Sequence, residues 1–235
     1  KGKKFFGAKI IPGRGVWIEI DTEADGVIYV RIDKKRKFPM VSLFRVFGVT
    51  DEKLIEMCQT DEEKEAMALQ IAKDPAKSLT ESYLEIYKRL RDGDLATPDN
   101  AKEFIDSIFD SERYDLSPVG RHRFNKRFDK NLTTKDLEKR TIDGEDLYVI
   151  WSHVIKLTNT PQAKGDDIDH LGSRRVRYVG EMLQAKVRVG MTQIKRNIQD
   201  RMSTIDSAQA LPIQIINQRP LQARIKEFFS TNQLS

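Results

Sequence analysis

The spacing of the apolar residues changes near Pro39, and this change limits what the chain can fold into. Before Pro39, short segments rich in β-branched and aromatic residues are separated by turn-forming residues, which is typical of strands. Asp25-Gly26 is a tight hairpin signal between the second and third segments, because glycine supplies the positive φ of such a turn. Strands are predicted over 5–11, 15–20 and 27–32. These segments predict a small antiparallel sheet.

After Pro39 the apolar residues recur at helical spacing, and several helix starts carry capping signals. Thr60 with Glu63 forms a capping-box pattern. Thr97-Pro98 places a cap and a first-turn proline before the next helix. Thr80 is predicted to cap a helix over 81–90, and Thr134 is predicted to cap a short turn. The fold class is therefore predicted to be α+β, a small sheet followed by a helical bundle.

The strongest helical pattern lies near the end of the chain. Apolar residues step by three or four from Val176 to Met202, and eight cations accompany them between positions 174 and 201. A polar connection over 158–173 precedes this long amphipathic helix, and a last short helix is predicted after Pro220. We therefore predict a domain boundary within this connection.

Charge and composition exclude several classes of protein. No window approaches the roughly 18 apolar residues of a membrane span, and one cysteine, Cys58, excludes a disulfide framework or a cysteine-based metal site. The absence of an initiator Met and of a long apolar leader indicates an internal stretch of a cytoplasmic protein. The net charge is only +5, from 41 Lys+Arg and 36 Asp+Glu. Basic runs at 31–37, 113–130 and 174–201 nevertheless favour a polyanionic partner.

Candidate chemistry is sparse. The chain has no P-loop, dinucleotide-binding fingerprint or nucleophile elbow, and its three histidines are scattered. Carboxylates in the segment 166–170 could hold a divalent cation, or could stabilise the start of the following helix. Trp17 could stack on an unpaired base or could be an ordinary sheet-edge tryptophan. Arg91 could likewise be only an exposed helix-end arginine.

One segment carries a specific resemblance. The run from Asp166 to Arg177, DDIDHLGSRRVR, closely resembles a motif of the bacterial RNA polymerase β subunit, which usually has Asn where this chain has Ser173. Stretches at 10–17, 30–33 and 113–121 also match that family, and the last residues look like the approach to its rifamycin-binding segment. The resemblance extends over essentially the whole chain.

The resemblance implies that residues 1–172 are the lobe of the β subunit and that 173–235 are part of its protrusion. These modules form one jaw of the DNA cleft in a nucleotidyltransferase of the cytoplasm and nucleoid. In the family, the catalytic Mg²⁺ is held by aspartates of the β′ subunit, so no cofactor and no catalytic residue are expected in this chain. The implied partners are the β′, α and σ subunits, DNA, and regulators that dock on the lobe or protrusion, with no membrane.

The resemblance also implies roles for individual positions. Trp17 matches a residue that stacks on an unpaired base of the nontemplate strand, and Asp169 matches one that accepts hydrogen bonds from a guanine edge. The remaining implied DNA contacts are Ile168 and Arg174, which match residues lining the guanine pocket, and Arg91. The implied start of the rifamycin pocket consists of Phe229, Gln233 and Leu234.

Two other hypotheses remain open from the sequence. The chain could be a free-standing adaptor that uses a β-like surface to bind a transcription regulator. It could also be an independent nucleic-acid enzyme in which the aspartates of 166–169 hold Mg²⁺. Substitution of Asp169 by Ala separates the enzyme hypothesis from the cleft module. The enzyme hypothesis predicts complete loss of a Mg²⁺-dependent activity, whereas the cleft module predicts a changed open-complex lifetime that depends on a nontemplate guanine.

Overall fold

The computed structural model describes residues 4–172, 174–205 and 211–230. The chain divides into two compact units, Lys1–Gly165 and Asp166–Ser235. The boundary between them lies within the connection predicted over 158–173. Within the described ranges, no helix is long and apolar enough to cross a membrane.

The first unit begins with a four-stranded antiparallel sheet whose strands pair in chain order. The strands are β1 (Gly7–Ile10), β2 (Ile18–Thr22), β3 (Ile28–Ile32) and β4 (Phe38–Pro39). Ile18 is paired with both Ile10 and Ile32, and this register places alternate residues of β2 and β3 on a buried face. Gly26 has a φ of 79° in the predicted hairpin turn. The prediction missed β4, which has only two residues, one of them a proline.

Eight helices follow the sheet in the first unit. They are α1 (Met40–Val46), α2 (Asp51–Met57), α3 (Asp61–Lys73), α4 (Leu79–Leu90), α5 (Pro98–Phe109), α6 (Pro118–Arg127), α7 (Thr134–Glu138) and α8 (Gly144–Asn159). Their apolar faces and the inner face of the sheet form one core, in which the side chain of Trp151 is completely buried. The predicted α+β class is confirmed.

The helix starts confirm some capping predictions and correct others. The side-chain oxygens of Thr60 and Thr97 accept backbone N–H groups at the starts of α3 and α5, as predicted. Ser78 caps α4 in place of Thr80, which lies inside the helix. In the same way, Thr133 caps α7 in place of Thr134. In both cases another hydroxyl residue precedes the predicted cap, and only the backbone path decides which of the two faces the free N–H groups.

A buried carboxylate joins three segments of the first unit. Asp146, at the start of α8, accepts from Arg121 of α6 and from Lys130, each at 2.9 Å, and Lys139 lies 3.2 Å away. Burial opposes the charged form of Asp146, but the hydrogen bonds from Arg121 and Lys130 outweigh this effect and hold its pKa below the ordinary value. The network therefore fixes α6 and the 130–139 segment against α8.

The second unit contains α9 (Val179–Met202), α10 (Pro212–Ile215) and α11 (Arg219–Ser230). The long helix begins at Val179, three residues after the first apolar residue of the predicted repeat. Helices α9 and α11 pack closely at Gly190, because a Cβ at that position would come within 3.0 Å of the Leu221 Cα. Ile194 and Phe228 are buried in the pair, while several other apolar side chains of this unit are exposed.

Candidate nucleic-acid interface

Trp17 is an exposed residue at the edge of the sheet region, next to the first residue of β2. It directly precedes β2, in which Ile18, Ile20 and Thr22 point into the core, so the strand alternation turns Trp17 to the opposite face. The Trp17 carbonyl accepts the backbone N–H of Asp33 at 3.0 Å, which fixes the tryptophan beside the turn after β3. The side chain is 41% exposed, and the indole is available to a ligand.

Two lysines flank the indole. The ammonium groups of Lys9 and Lys34 lie 5.6 and 5.7 Å from the ring centroid of Trp17, within the range of cation–π attraction. Lys9 also pairs with Glu19 at 2.6 Å, and this hydrogen bond lowers the pKa of the Glu19 carboxyl. An aromatic face bordered by cations suits a base that is attached to a phosphate.

Lys34 is placed by an unusual turn. Asp33 and Lys34 have φ values of 52° and 58°, and the Lys35 N–H donates to the Ile32 carbonyl at 3.1 Å. Positive φ at both central residues corresponds to a type I′ turn, which normally uses Asn-Gly. Non-glycine residues in this region cost roughly 1–3 kcal/mol each, so the fold maintains a conformation that Asp and Lys do not prefer.

Arg91 lies on the same side of the first unit as this turn. It immediately follows α4, its guanidinium covers the Phe104 ring at 4.8 Å, and it reaches Asp94 at 3.3 Å. The neighbouring Asp92 pairs with Arg36 of the turn at 3.1 Å. The sequence analysis selected Trp17 and Arg91 individually and named the lysines and arginine at 34–36 only as part of the basic run 31–37; it did not predict that Lys34 lies at the indole or that Arg36 pairs with Asp92. The signal for these residues was that basic run in a hairpin turn.

The predicted guanine-pocket residues lie in the second unit. The guanidinium of Arg174 reaches the carboxylate of Asp169 at 3.4 Å, and the Arg174 N–H donates to the His170 carbonyl. The Asp169 side chain is 86% exposed, and Ile168 is also exposed. The carboxylate, the guanidinium and the apolar side chain are thus near one another in sequence and available to a ligand.

The aspartates of 166–170 do not assemble a metal centre. Asp167 accepts the backbone N–H groups of Asp169 and His170, each at 3.2 Å, so its carboxylate closes a local turn. Across the part of the chain that the structure describes, no three His, Cys, Asp or Glu side chains are grouped to hold a metal ion.

The predicted start of the rifamycin pocket is described only in part. Phe229 lies near the end of α11 with an exposed ring, edge-to-face against the buried ring of Phe228. Gln233 and Leu234 lie outside the described residues.

The comparison with known proteins supplies the context for these sites. Residues 2–177 match the family described as RNA polymerase Rpb2, domain 2. The whole chain is 39% identical to the DNA-directed RNA polymerase subunit beta of Syntrophomonas wolfei and covers 21% of that protein. The corresponding subunits of Prochlorococcus marinus and Dehalococcoides mccartyi are each 37% identical over the whole chain, which covers 21% and 19% of them.

The chain thus spans about a fifth of the length of these relatives. The match of the family extends over the sheet, all the helices of the first unit and the segment that carries Asp169 and Arg174. It confirms the resemblance stated from the sequence. The chain belongs to the RNA polymerase β-subunit family, with the Rpb2 domain 2 fold over residues 2–177.

Proposed function

We propose that this chain is a non-catalytic DNA-cleft module of a bacterial RNA polymerase, in which it contacts downstream DNA and the nontemplate strand. Residues 1–172 serve as the lobe and 173–235 as part of the protrusion. The observation that carries the proposal is the exposed indole of Trp17, flanked by two lysines, in a chain similar throughout to β subunits.

Trp17 supports this function because an exposed indole accepts any unpaired base. Base–aromatic stacking is worth roughly 1–3 kcal/mol per base and needs no particular sequence. A duplex offers no free base face, so the indole favours a strand that has already been separated. The adjacent cations at Lys9 and Lys34 favour the phosphate that accompanies such a base.

Asp169 supplies a second, base-selective contact in this proposal. Its exposed carboxylate can accept the N1–H and N2–H groups of guanine, an edge that is available only when the base is unpaired. Arg174 is close enough to orient the carboxylate and to neutralise a neighbouring phosphate. Ile168 offers an apolar contact beside them. We therefore assign guanine selectivity to this segment and sequence-independent stacking to Trp17.

The proposed partners, antibiotic site and cellular location follow from the same role in the DNA cleft. The β′ subunit supplies the aspartates that hold the catalytic Mg²⁺, and the α subunits, σ factor and regulators are the protein neighbours. Phe229, with Gln233 and Leu234, forms the start of the rifamycin site. The cytoplasm, in association with the nucleoid, is the proposed location.

The test uses RNA polymerase holoenzyme whose β subunit carries this chain, with Asp169→Ala. We expect the open-complex lifetime to shorten by about tenfold, or ~1.4 kcal/mol, on a promoter with a nontemplate guanine at the contacted position. The matched control is the same promoter with thymine there, on which the substitution should have no effect. Equal lifetimes for both enzymes on both promoters would contradict the guanine contact and would favour the adaptor hypothesis.

A further inference from the structure

Three hydrogen bonds converge on His170 in the segment that carries the proposed guanine contact. Its backbone N–H donates to the Asp167 carboxylate at 3.2 Å, and its carbonyl accepts the Arg174 N–H, also at 3.2 Å. Its ring nitrogen Nδ1 accepts the Gly172 N–H at 3.0 Å. Asp169 immediately precedes this residue. His170 therefore joins the chain before it to the chain that leads to Arg174.

Gly172 allows the imidazole of His170 to lie against the backbone. A Cβ at position 172 would come within 3.0 Å of Nδ1 and 3.2 Å of Cε1 of the ring. Both distances are shorter than the roughly 3.5–4.0 Å of an optimal contact, so a larger residue would displace the ring. The same segment brings the Arg174 guanidinium to 3.4 Å from the Asp169 carboxylate. The ring is thus packed inside the loop whose two ends carry the proposed contact.

The hydrogen bond from Gly172 requires a neutral imidazole. Nδ1 can accept only while it carries no proton, because both ring nitrogens are donors in the charged form. A proton on Nδ1 would set two N–H groups against each other at 3.0 Å, and the ring would have to turn away. Histidine is the side chain whose charge changes between about pH 5 and 8, whereas aspartate and arginine ordinarily titrate outside this range. The other charged residues of the segment are Asp166, Asp167, Asp169, Arg174 and Arg175, the last of them paired with Glu181 of α9.

We propose that His170 is a positioning residue for guanine recognition, and that its neutral imidazole holds Asp169 and Arg174 in place for an unpaired guanine edge. This proposal rests on the guanine contact assigned to Asp169 above. It adds control by protons: acid removes the acceptor, the path of 169–174 loosens, and the guanine contact weakens. A histidine that only bound a phosphate would behave in the opposite way, because the gain of a positive charge strengthens binding to a polyanion.

The experiment measures open-complex lifetime at about pH 8 and about pH 6, on either side of the histidine range, with holoenzyme whose β subunit carries this chain. Each measurement is made on two promoters, which have guanine or thymine at the contacted nontemplate position. The ratio of the two lifetimes isolates the base contact, since other effects of pH on the enzyme are common to both promoters. For the unmodified enzyme we expect this guanine/thymine ratio to be about two- to fourfold lower in acid, because much of the imidazole is then protonated and one hydrogen bond is lost.

Two substitutions of His170 test whether Nδ1 is the acceptor that titrates. His170→Asn can place an amide oxygen where Nδ1 lies, so the Gly172 N–H keeps an acceptor that takes up no proton in this range. This variant should retain the ratio of the unmodified enzyme at the higher pH and show no decrease in acid. His170→Ala has no acceptor, and its ratio should be about two- to tenfold lower at both pH values. The matched control is His122→Asn, at an exposed histidine of α6, which should keep the pH dependence of the unmodified enzyme.

Three results would each overturn the positioning role of His170. The first is a decrease in acid that persists in His170→Asn, since another group would then be titrating. The second is an undiminished ratio in His170→Ala at the higher pH. The third is a ratio in the unmodified enzyme that is unchanged or larger in acid, the larger value being that of a phosphate contact. Equal lifetimes on the two promoters for the unmodified enzyme at the higher pH would instead contradict the guanine contact itself, and with it the proposed function, so the two failures are distinguishable.

Discussion

The two units of the molecule differ in the kinds of side chain that they bury. In the first unit, between residues 4 and 165, the sheet and eight helices bury charged groups as well as apolar ones, and Asp146 is fully enclosed beside Arg121. In the second unit, the buried residues of its helices are Gly190, Ile194 and Phe228. A buried ion pair requires several elements to surround it, whereas a helix pair requires only a narrow apolar contact. The first unit should therefore unfold cooperatively and respond strongly to single polar changes.

The largest expected effect tests the buried network of the first unit. Asp146→Asn leaves Arg121 and Lys130 without their carboxylate, and the loss of one partner from a buried ion pair costs about 3–5 kcal/mol. Urea unfolding measures this change in the free energy of unfolding. The control is Asp92→Asn, whose pair with Arg36 is well exposed and should contribute about 0–1 kcal/mol. Similar effects of the two substitutions would mean that the network does not stabilise the unit.

The second prediction concerns the close approach of the helices in the second unit. Gly190→Leu places a side chain against the Leu221 backbone, and such overpacking costs about 1–3 kcal/mol. Gly180→Leu is the matched control, because nothing lies within 4 Å of a Cβ at that position. There the better helix propensity should stabilise α9 by up to ~1 kcal/mol. Hydrogen exchange of the α11 amides measures both effects. Equal exchange in the two variants would contradict the packing of α9 on α11.

Acid should destabilise the first unit through its paired carboxylates. The pKa of Asp146 lies below its ordinary value of 3.8, so the native state binds this proton less readily than the unfolded state. The stability it contributes is complete above the unfolded pKa and is lost as pH falls below about 3.8 toward the folded pKa. The pKa of Asp115 is also lowered, first by its hydrogen bond from Arg140.

We therefore expect amide protection in 4–165 to decrease steeply in this acid range, and the decrease to be shallower in Asp146→Asn. Hydrogen exchange as a function of pH, corrected for intrinsic rates, measures both. An identical pH dependence in the variant and the unmodified chain would show that Asp146 titrates normally in the folded state.

The smallest effect is expected at a surface pair of the second unit. Lys186 of α9 donates to Glu227 of α11 at 3.0 Å, and both side chains are partly exposed. Lys186→Met should reduce the stability of the helix pair by about 0–1 kcal/mol, and added salt should reduce this difference further. Thermal unfolding at low and high salt provides the measurement. A loss comparable to that of Gly190→Leu would mean that charge, more than close packing, holds α9 and α11 together.

The features of the fold that could be predicted from the sequence were those set by local residues. Asp25-Gly26 forms its turn, and Thr97-Pro98 starts its helix, because each feature depends on residues within one turn of chain. The choice between Ser78 and Thr80 as a cap depended on the path of the whole segment and was predicted incorrectly. The strand β4 was missed because its two residues form a strand only through pairing with β3.

The sequence by itself determined the α+β class, the change of hydrophobic repeat after the sheet, and the family to which the chain belongs. It also singled out Trp17 and Asp169 as candidate contacts. Only the tertiary structure placed Lys9 and Lys34 at the indole, joined the turn of β3 to the end of α4, and enclosed Asp146 among cations. These contacts join residues far apart in the chain, so they depend on strand register and helix packing, which no local pattern specifies.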